Sequence, residues 1–108
     1  MKVINLTPHD VSIYTEDRKI IKTYAYSGQI ARLAQRAEVV DYIDGIPIKV
    51  SRNRRITGLP EPQEGVLYIV SDIVLNCCRH RTDLIAPGSK IYDDNRRVIG
   101  CTSFMSNR

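Results

Sequence analysis

Apolar residues along this chain come in short alternating or continuous runs broken by polar turns, the pattern of strands more than of amphipathic helices. Residues 2–6 and 11–15 are two such runs, separated by Thr7-Pro8-His9. A polar turn, Thr15-Glu16-Asp17-Arg18, leads into a β-branched run over 19–24, so residues 11–24 read as a hairpin. Ser27-Gly28 is a turn signal. After it, Ile30, Leu33, Ala34 and Ala37 have a spacing that also suits a helical face. Ala and Leu favour helix over 29–40, but the flanking strands favour sheet, and strand is the reading preferred. Asp44-Gly45 is a hairpin turn between 39–43 and 46–50, and Pro47 directs the second arm of that hairpin to a sheet edge.

The character changes over 51–65. Ser51-Arg52-Asn53-Arg54-Arg55 is basic and polar, and 58–65 is rich in Pro and Gly, which predicts an exposed loop without a regular element. Val66 to Val70 is a strand. Ser71 offers an N-cap and Asp72 a first-turn acid, with Ile73, Val74, Cys77 and Cys78 as an apolar stripe, so a short helix is expected at about 72–79. Ala86-Pro87-Gly88 reads as a turn, 90–92 as a strand, 93–95 as a turn and 97–104 as a closing strand. The expected fold is α+β: one β-rich domain, residues 1–108, of several short antiparallel strands with one short helix packed on a sheet face.

Composition narrows the class. With 108 residues, 43% hydrophobic and 26% charged, the chain suits one globular domain and argues against a disordered tail, a collagen repeat or a disulfide scaffold. Its longest apolar runs are far short of the ~20 residues of a membrane-spanning helix, so no membrane partner is expected. The first residues form a strand-length patch broken by a turn and do not resemble a secretory signal. Three cysteines, two of them adjacent, suit a reducing compartment, and the expected location is the cytoplasm. A chain this small also gains from an extra interface, so a homo-oligomer is expected.

Four strings stand out together: Asn5-Leu6-Thr7-Pro8-His9; Ser27-Gly28-x-x-Ala31-Arg32; Gly58-Leu59-Pro60-x-Pro62-x-x-Gly65 leading into Tyr68-Ile69-Val70-Ser71; and Arg81-x-Asp83-Leu84-x-x-Pro87. The set resembles a family of small uncharacterised proteins of bacteriophages and prophage-bearing bacterial genomes, along nearly the whole chain. The resemblance implies a setting, the cytoplasm of a phage-infected host cell. It implies no catalytic residue and no cofactor.

The candidate chemistry is that of an anion. A formal charge of +4 permits an anionic partner, and arginines outnumber lysines eleven to five. Arg binds phosphate in two-point geometry and stacks on flat rings, which suits a nucleotide better than a general solubility role does; the bland alternative is a solvated surface paired to the twelve acids. Candidate ligand residues are His9, Arg32, Ser71, Arg81 and Asp83. His9 follows a Thr-Pro turn and could serve phosphate or proton transfer, though a backbone-bonded turn histidine is the commoner role. Ser71 stands where a strand feeds a helix, although Asp72 opposes direct phosphate contact there. Lys49, Arg52, Arg54 and Arg55 form a basic loop with no acid between 45 and 60. It lacks interleaved aromatics, so it suits phosphate-backbone contact with nucleic acid but not sequence readout.

Cys77, Cys78, His80 and Cys101 are zinc-ligand types at poor spacing, because Cys77 and Cys78 lie about 100° apart on a helix. Cys78, His80 and Asp83 as a nucleophilic set are too local in sequence. Buried thiols are the better reading, with no metal site. The leading functional expectation is a non-enzymatic phage accessory protein that binds a small phosphorylated, nucleotide-like ligand, for example sequestering a host defence signal. The alternatives are a small enzyme on a nucleotide or phosphoester, and a nucleic-acid or protein-binding regulator that uses the 49–55 loop.

Overall fold

The computed structural model describes residues 1–108 and contains two sheets and one helix. In chain order the elements are β1 (Lys2–Asn5), β2 (Val11–Tyr14), β3 (Ile20–Tyr24), β4 (Arg32–Ile43), β5 (Ile46–Thr57), β6 (Val66–Ile69), α1 (Asp72–Cys77), β7 (Leu84–Tyr92) and β8 (Val98–Ser106). Six strands form one sheet in the order β1-β6-β7-β8-β2-β3, and β4 and β5 form a ribbon of their own. The fold is thus α+β and β-rich.

Three pairings are antiparallel hairpins: β2 with β3, β4 with β5 and β7 with β8. The six-stranded sheet is mixed: beside its antiparallel hairpins, β1–β6, β6–β7 and β8–β2 run parallel. Parallel partners are distant in sequence and leave no turn signature, so local patterning does not reveal them. The ends of the sheet approach each other. Asn5 at the end of β1 donates from Nδ2 to the Tyr24 carbonyl of β3 at 2.9 Å, so the sheet curls back toward a barrel.

Alternation along the central strands fills two apolar layers. Leu67 and Ile69 of β6 and Ile85 of β7 point inward with Val11, Ile13, Cys101 and Phe104. Tyr68 and Val70, with Leu84 and Ala86, point outward and are covered by Val74, Leu75 and Cys78 of the helical segment, together with Leu6 and Ala31. Both faces of β6 are therefore covered, which is why its sequence is apolar without interruption. Ser71 caps α1 as its composition predicts, its hydroxyl accepting from Val74 N–H at 3.2 Å.

The β4–β5 ribbon stands away from this body. The radius of gyration is 16.7 Å, against about 13 Å for a compact chain of this length. Most of the ribbon's residues are exposed. Its root is fixed: Ala31 N–H donates to the Leu6 carbonyl at 3.0 Å, Gln29 Nε2 donates to the Gly58 carbonyl at 2.9 Å, and Ile56 packs on the outer core layer. Gly58 has φ +78° with the Ile30 carbonyl where a Cβ would be, so only glycine fits this pivot.

Two expectations change. Residues 51–57 are strand, so Lys49, Arg52, Arg54 and Arg55 lie on β5 and not in a loop. The Asp44-Gly45 turn zips the two strands as far as Thr57, and the αL backbone of Asn53 (φ 55°) absorbs a register shift. The short helix expected at about 72–79 is present, over Asp72–Cys77 with Cys78 as its C-cap. Ala86-Pro87-Gly88 is no turn but the middle of β7, with Pro87 opposite Phe104. The strand reading of 29–40 holds from Arg32 onward.

Candidate functional site

The Asn5-to-His9 string is a latch. Asn5 is 2% exposed; its Nδ2 donates to the carbonyls of His9 (2.7 Å) and Tyr24, and its Oδ1 accepts from Thr7 N–H at 2.9 Å. The Thr7 hydroxyl lies 2.7 Å from Asn5 Oδ1 and 2.9 Å from the His9 carbonyl. The string ties β1 to β3 through side-chain amide and backbone. The part of His9 that the latch uses is its carbonyl, and the imidazole stays exposed.

Arg81 and Asp83 make a second clasp. Arg81 Nε and Nη2 each donate to an Asp83 carboxylate oxygen at 2.7 Å, and Nη2 also reaches the Pro60 carbonyl at 3.0 Å. The two side chains are only 13% and 16% exposed. The hydrogen bonds and charge of Arg81 hold the Asp83 carboxyl below the usual carboxylate range, and Asp83 in turn raises Arg81. The pair pins the Pro-rich segment after Gly58 to the body. Its donors are spent on the fold, so it offers little to a ligand.

His9 and Ser71 share a cleft of about 350 Å³ with Asp10, Asp72, Lys90 and the apolar Val98 and Ile99. Lys90 Nζ is 3.5 Å from Asp72. Two carboxylates against one paired ammonium make this cleft a poor host for phosphate. Arg32, Arg81 and Asp83 do not line it.

A different groove carries the basic chemistry. Between the ribbon root and α1 lies a space of about 480 Å³ lined by Leu33, Arg54, Arg55, Ile56, Asn76, Cys77, Cys78 and His80. No carboxylate lines it, and neither Arg54 nor Arg55 is in an ion pair; Arg52 is paired instead to Glu38 at 2.9 Å. Arg54 Nη2 lies 3.5 Å from Cys77 Sγ, so its side chain reaches across to the helix. Two guanidinium groups, an amide and an imidazole thus surround an apolar floor. Sequence reasoning singled out Arg54 and Arg55 but missed Asn76 and His80 as their neighbours, because the approach of 54–56 to 76–80 is a tertiary event with no local signal.

The cysteines are free, Cys77 exposed and the other two buried. Burial pushes the Cys78 thiol up, with Cys77 adding to the effect, and burial raises Cys101 as well, which suits packing groups better than nucleophiles. No three His, Cys, Asp or Glu side chains gather as metal ligands, and no helix is long and apolar enough to cross a membrane. Comparison with family models, with curated proteins and with solved structures finds no match to this chain.

Proposed function

We propose that this protein is a non-catalytic binder of a small phosphorylated, nucleotide-like ligand, held in the groove between the ribbon root and α1. The observation that carries the reading is the pairing of two unneutralised arginines, Arg54 and Arg55, with a carboxylate-free lining. Phosphate oxygens would take the guanidinium groups by charge-assisted, two-point hydrogen bonds, with His80 and Asn76 as further donors. Leu33 and Ile56 supply an apolar floor for a flat ring, and the volume falls in the range of small-ligand sites. In the phage setting that the sequence resemblance implies, such a binder would act by sequestering a host signal and releasing it unchanged.

The test is thermal melting of the purified chain with a panel of nucleoside mono- and diphosphates and cyclic dinucleotides, followed by mass spectrometry of the recovered ligand. The expected result is a concentration-dependent rise in Tm that Arg54→Ala/Arg55→Ala abolishes, with the ligand recovered intact. A rise that survives this double substitution would move the site elsewhere. A chemically altered ligand would make the protein an enzyme.

A further inference from the structure

The positive charge of this protein is concentrated in one place. Residues 32–37 and 51–57, the root half of the β4–β5 ribbon, hold five arginines and no acid. In the rest of the chain eleven bases stand against twelve acids, so the whole excess of +4 resides in this half-ribbon.

Register sorts these arginines by face. Leu33 pairs with Ile56, which packs on the outer core layer, so this pair faces the body. Arg32, Ala34 and Arg36 alternate with Leu33 along β4 and face away. Their cross-strand partners share that face: Arg52 is opposite Arg36, and Arg55 is opposite Ala34. Arg52 and Arg55 are three apart, a spacing that would put them on opposite sides of a regular strand. Between the two pairs β5 has Asn53 (φ 55°) and Arg54 against Gln35 alone, and this extra residue brings Arg52 and Arg55 back into phase. Arg54 goes the other way and lies 3.5 Å from Cys77 Sγ. Arg36 and Arg52 therefore stand directly opposite each other, a like-charge arrangement that is unfavourable until an anion bridges it. Glu38 takes Arg52 at 2.9 Å, whereas Arg32 and Arg36 are exposed and in no ion pair.

We propose that this face binds the phosphate backbone of duplex DNA, with the root half of the ribbon lying along the major groove, β4 toward one phosphate wall and β5 toward the other. Arginine meets phosphate oxygens in two-point geometry. A ribbon of two strands ~4.8 Å apart fits, side chains included, a B-form major groove about 12 Å wide, while the A-form groove of RNA is too narrow. Residues 32–37 extend about 20 Å, roughly six base-pair steps of ~3.4 Å. No aromatic residue lies in the root half, so a single strand would find no platform for its bases. Asp41 and Asp44 belong to the tip half and lie beyond the contact. Contacts of this kind position the duplex without reading its sequence. Leu33 and Ile56 line the groove next to α1 on the other side of the ribbon, so the proposal goes beyond the ligand-binding reading and stands without it; Arg55 alone borders both.

Fluorescence anisotropy of a labelled mixed-sequence duplex, titrated with the intact chain from about 50 to 200 mM salt, tests the proposal, and a circular dichroism melt shows that each variant is folded. The expected result is a log–log salt dependence with a slope of about −3, from three to four neutralised phosphates. Arg36→Ala reduces the slope by about one and weakens binding up to about tenfold at 0.1 M salt, equally on unrelated sequences. Arg32→Ala/Arg36→Ala reduces it by about two. Arg97→Ala, the same loss of charge beside the β7–β8 turn, leaves the slope unchanged. No binding at the lowest salt would overturn the proposal, as would an Arg97→Ala variant that loses as much as Arg36→Ala. Tighter binding to single-stranded DNA or to duplex RNA would also overturn it. Polyglutamate that displaces the duplex as well as unlabelled DNA of equal charge would assign the face to an acidic protein instead.

Discussion

Two long hairpins in this protein meet opposite fates. The β7–β8 hairpin joins the six-stranded sheet, where Leu84, Ile85, Ala86 and Cys101 are buried. The β4–β5 hairpin, with twelve residues in each strand, touches the body only at its root and carries its apolar side chains into solvent. Their turns are equally legible. In one, Asp44-Gly45 supplies positive φ at both positions; in the other, Asp93 Oδ1 accepts from Asn95 and Arg97 N–H at 2.8 and 2.9 Å. Turn chemistry sets the register of each pair, while the place of the hairpin depends on what covers its faces.

The largest effect is expected where burial is complete. Ile69 is 0% exposed in the inner layer, and Ile69→Ala should cost about 4 kcal/mol in chemical denaturation. A loss below about 1 kcal/mol would show that the barrel-like layer is not a packed core.

Next is the clasp between body and ribbon root. Arg81→Ala leaves a largely buried carboxylate and the Pro60 carbonyl without a partner and should cost about 3 kcal/mol. The pH dependence has a definite sign. Asp83 titrates below its ordinary value in the fold, so its contribution is complete above that value and is lost as the pH falls through it, below about pH 4. Asp83→Asn should remove this part of the acid sensitivity. Parallel stability curves for the two proteins from pH 7 to acid would refute the role assigned to the clasp.

The smallest effect is expected at the ribbon tip. Ile46 is 61% exposed, and Ile46→Ala should change the stability of the protein by no more than about 0.5 kcal/mol. The same side chain type thus costs several-fold more in one hydrogen-bonded sheet than in the other. If both isoleucines cost alike, the distinction between body and arm fails.

The candidate site was legible in pieces. Arginine excess and the absence of acids marked residues 49–55 correctly as basic, yet read them as a loop, because consecutive Arg and Asn residues are poor local evidence for a strand. Their conformation comes from zipping against β4, a partner whose own pattern was balanced between helix and strand. His9, Ser71, Arg32 and Arg81 were grouped by residue type, whereas the structure gives His9 and Ser71 one cleft, spends Arg81 on Asp83, and brings Arg54 and Arg55 to His80 instead. Side-chain chemistry is visible in a sequence, but neighbourhood is not.

Local patterning determined the hairpins, the N-cap at Ser71, the apolar strand at 66–70 and the α+β class, because each rests on residues within a few positions of one another. The tertiary structure alone decided the parallel pairings, the latch that turns Asn5 toward Tyr24, and the exile of β4–β5 from the core. Those outcomes depend on which distant surfaces compete to cover the same apolar face. The body can close its two layers with six strands and one helix, and the remaining hairpin, its register already set by Asp44-Gly45, is left extended.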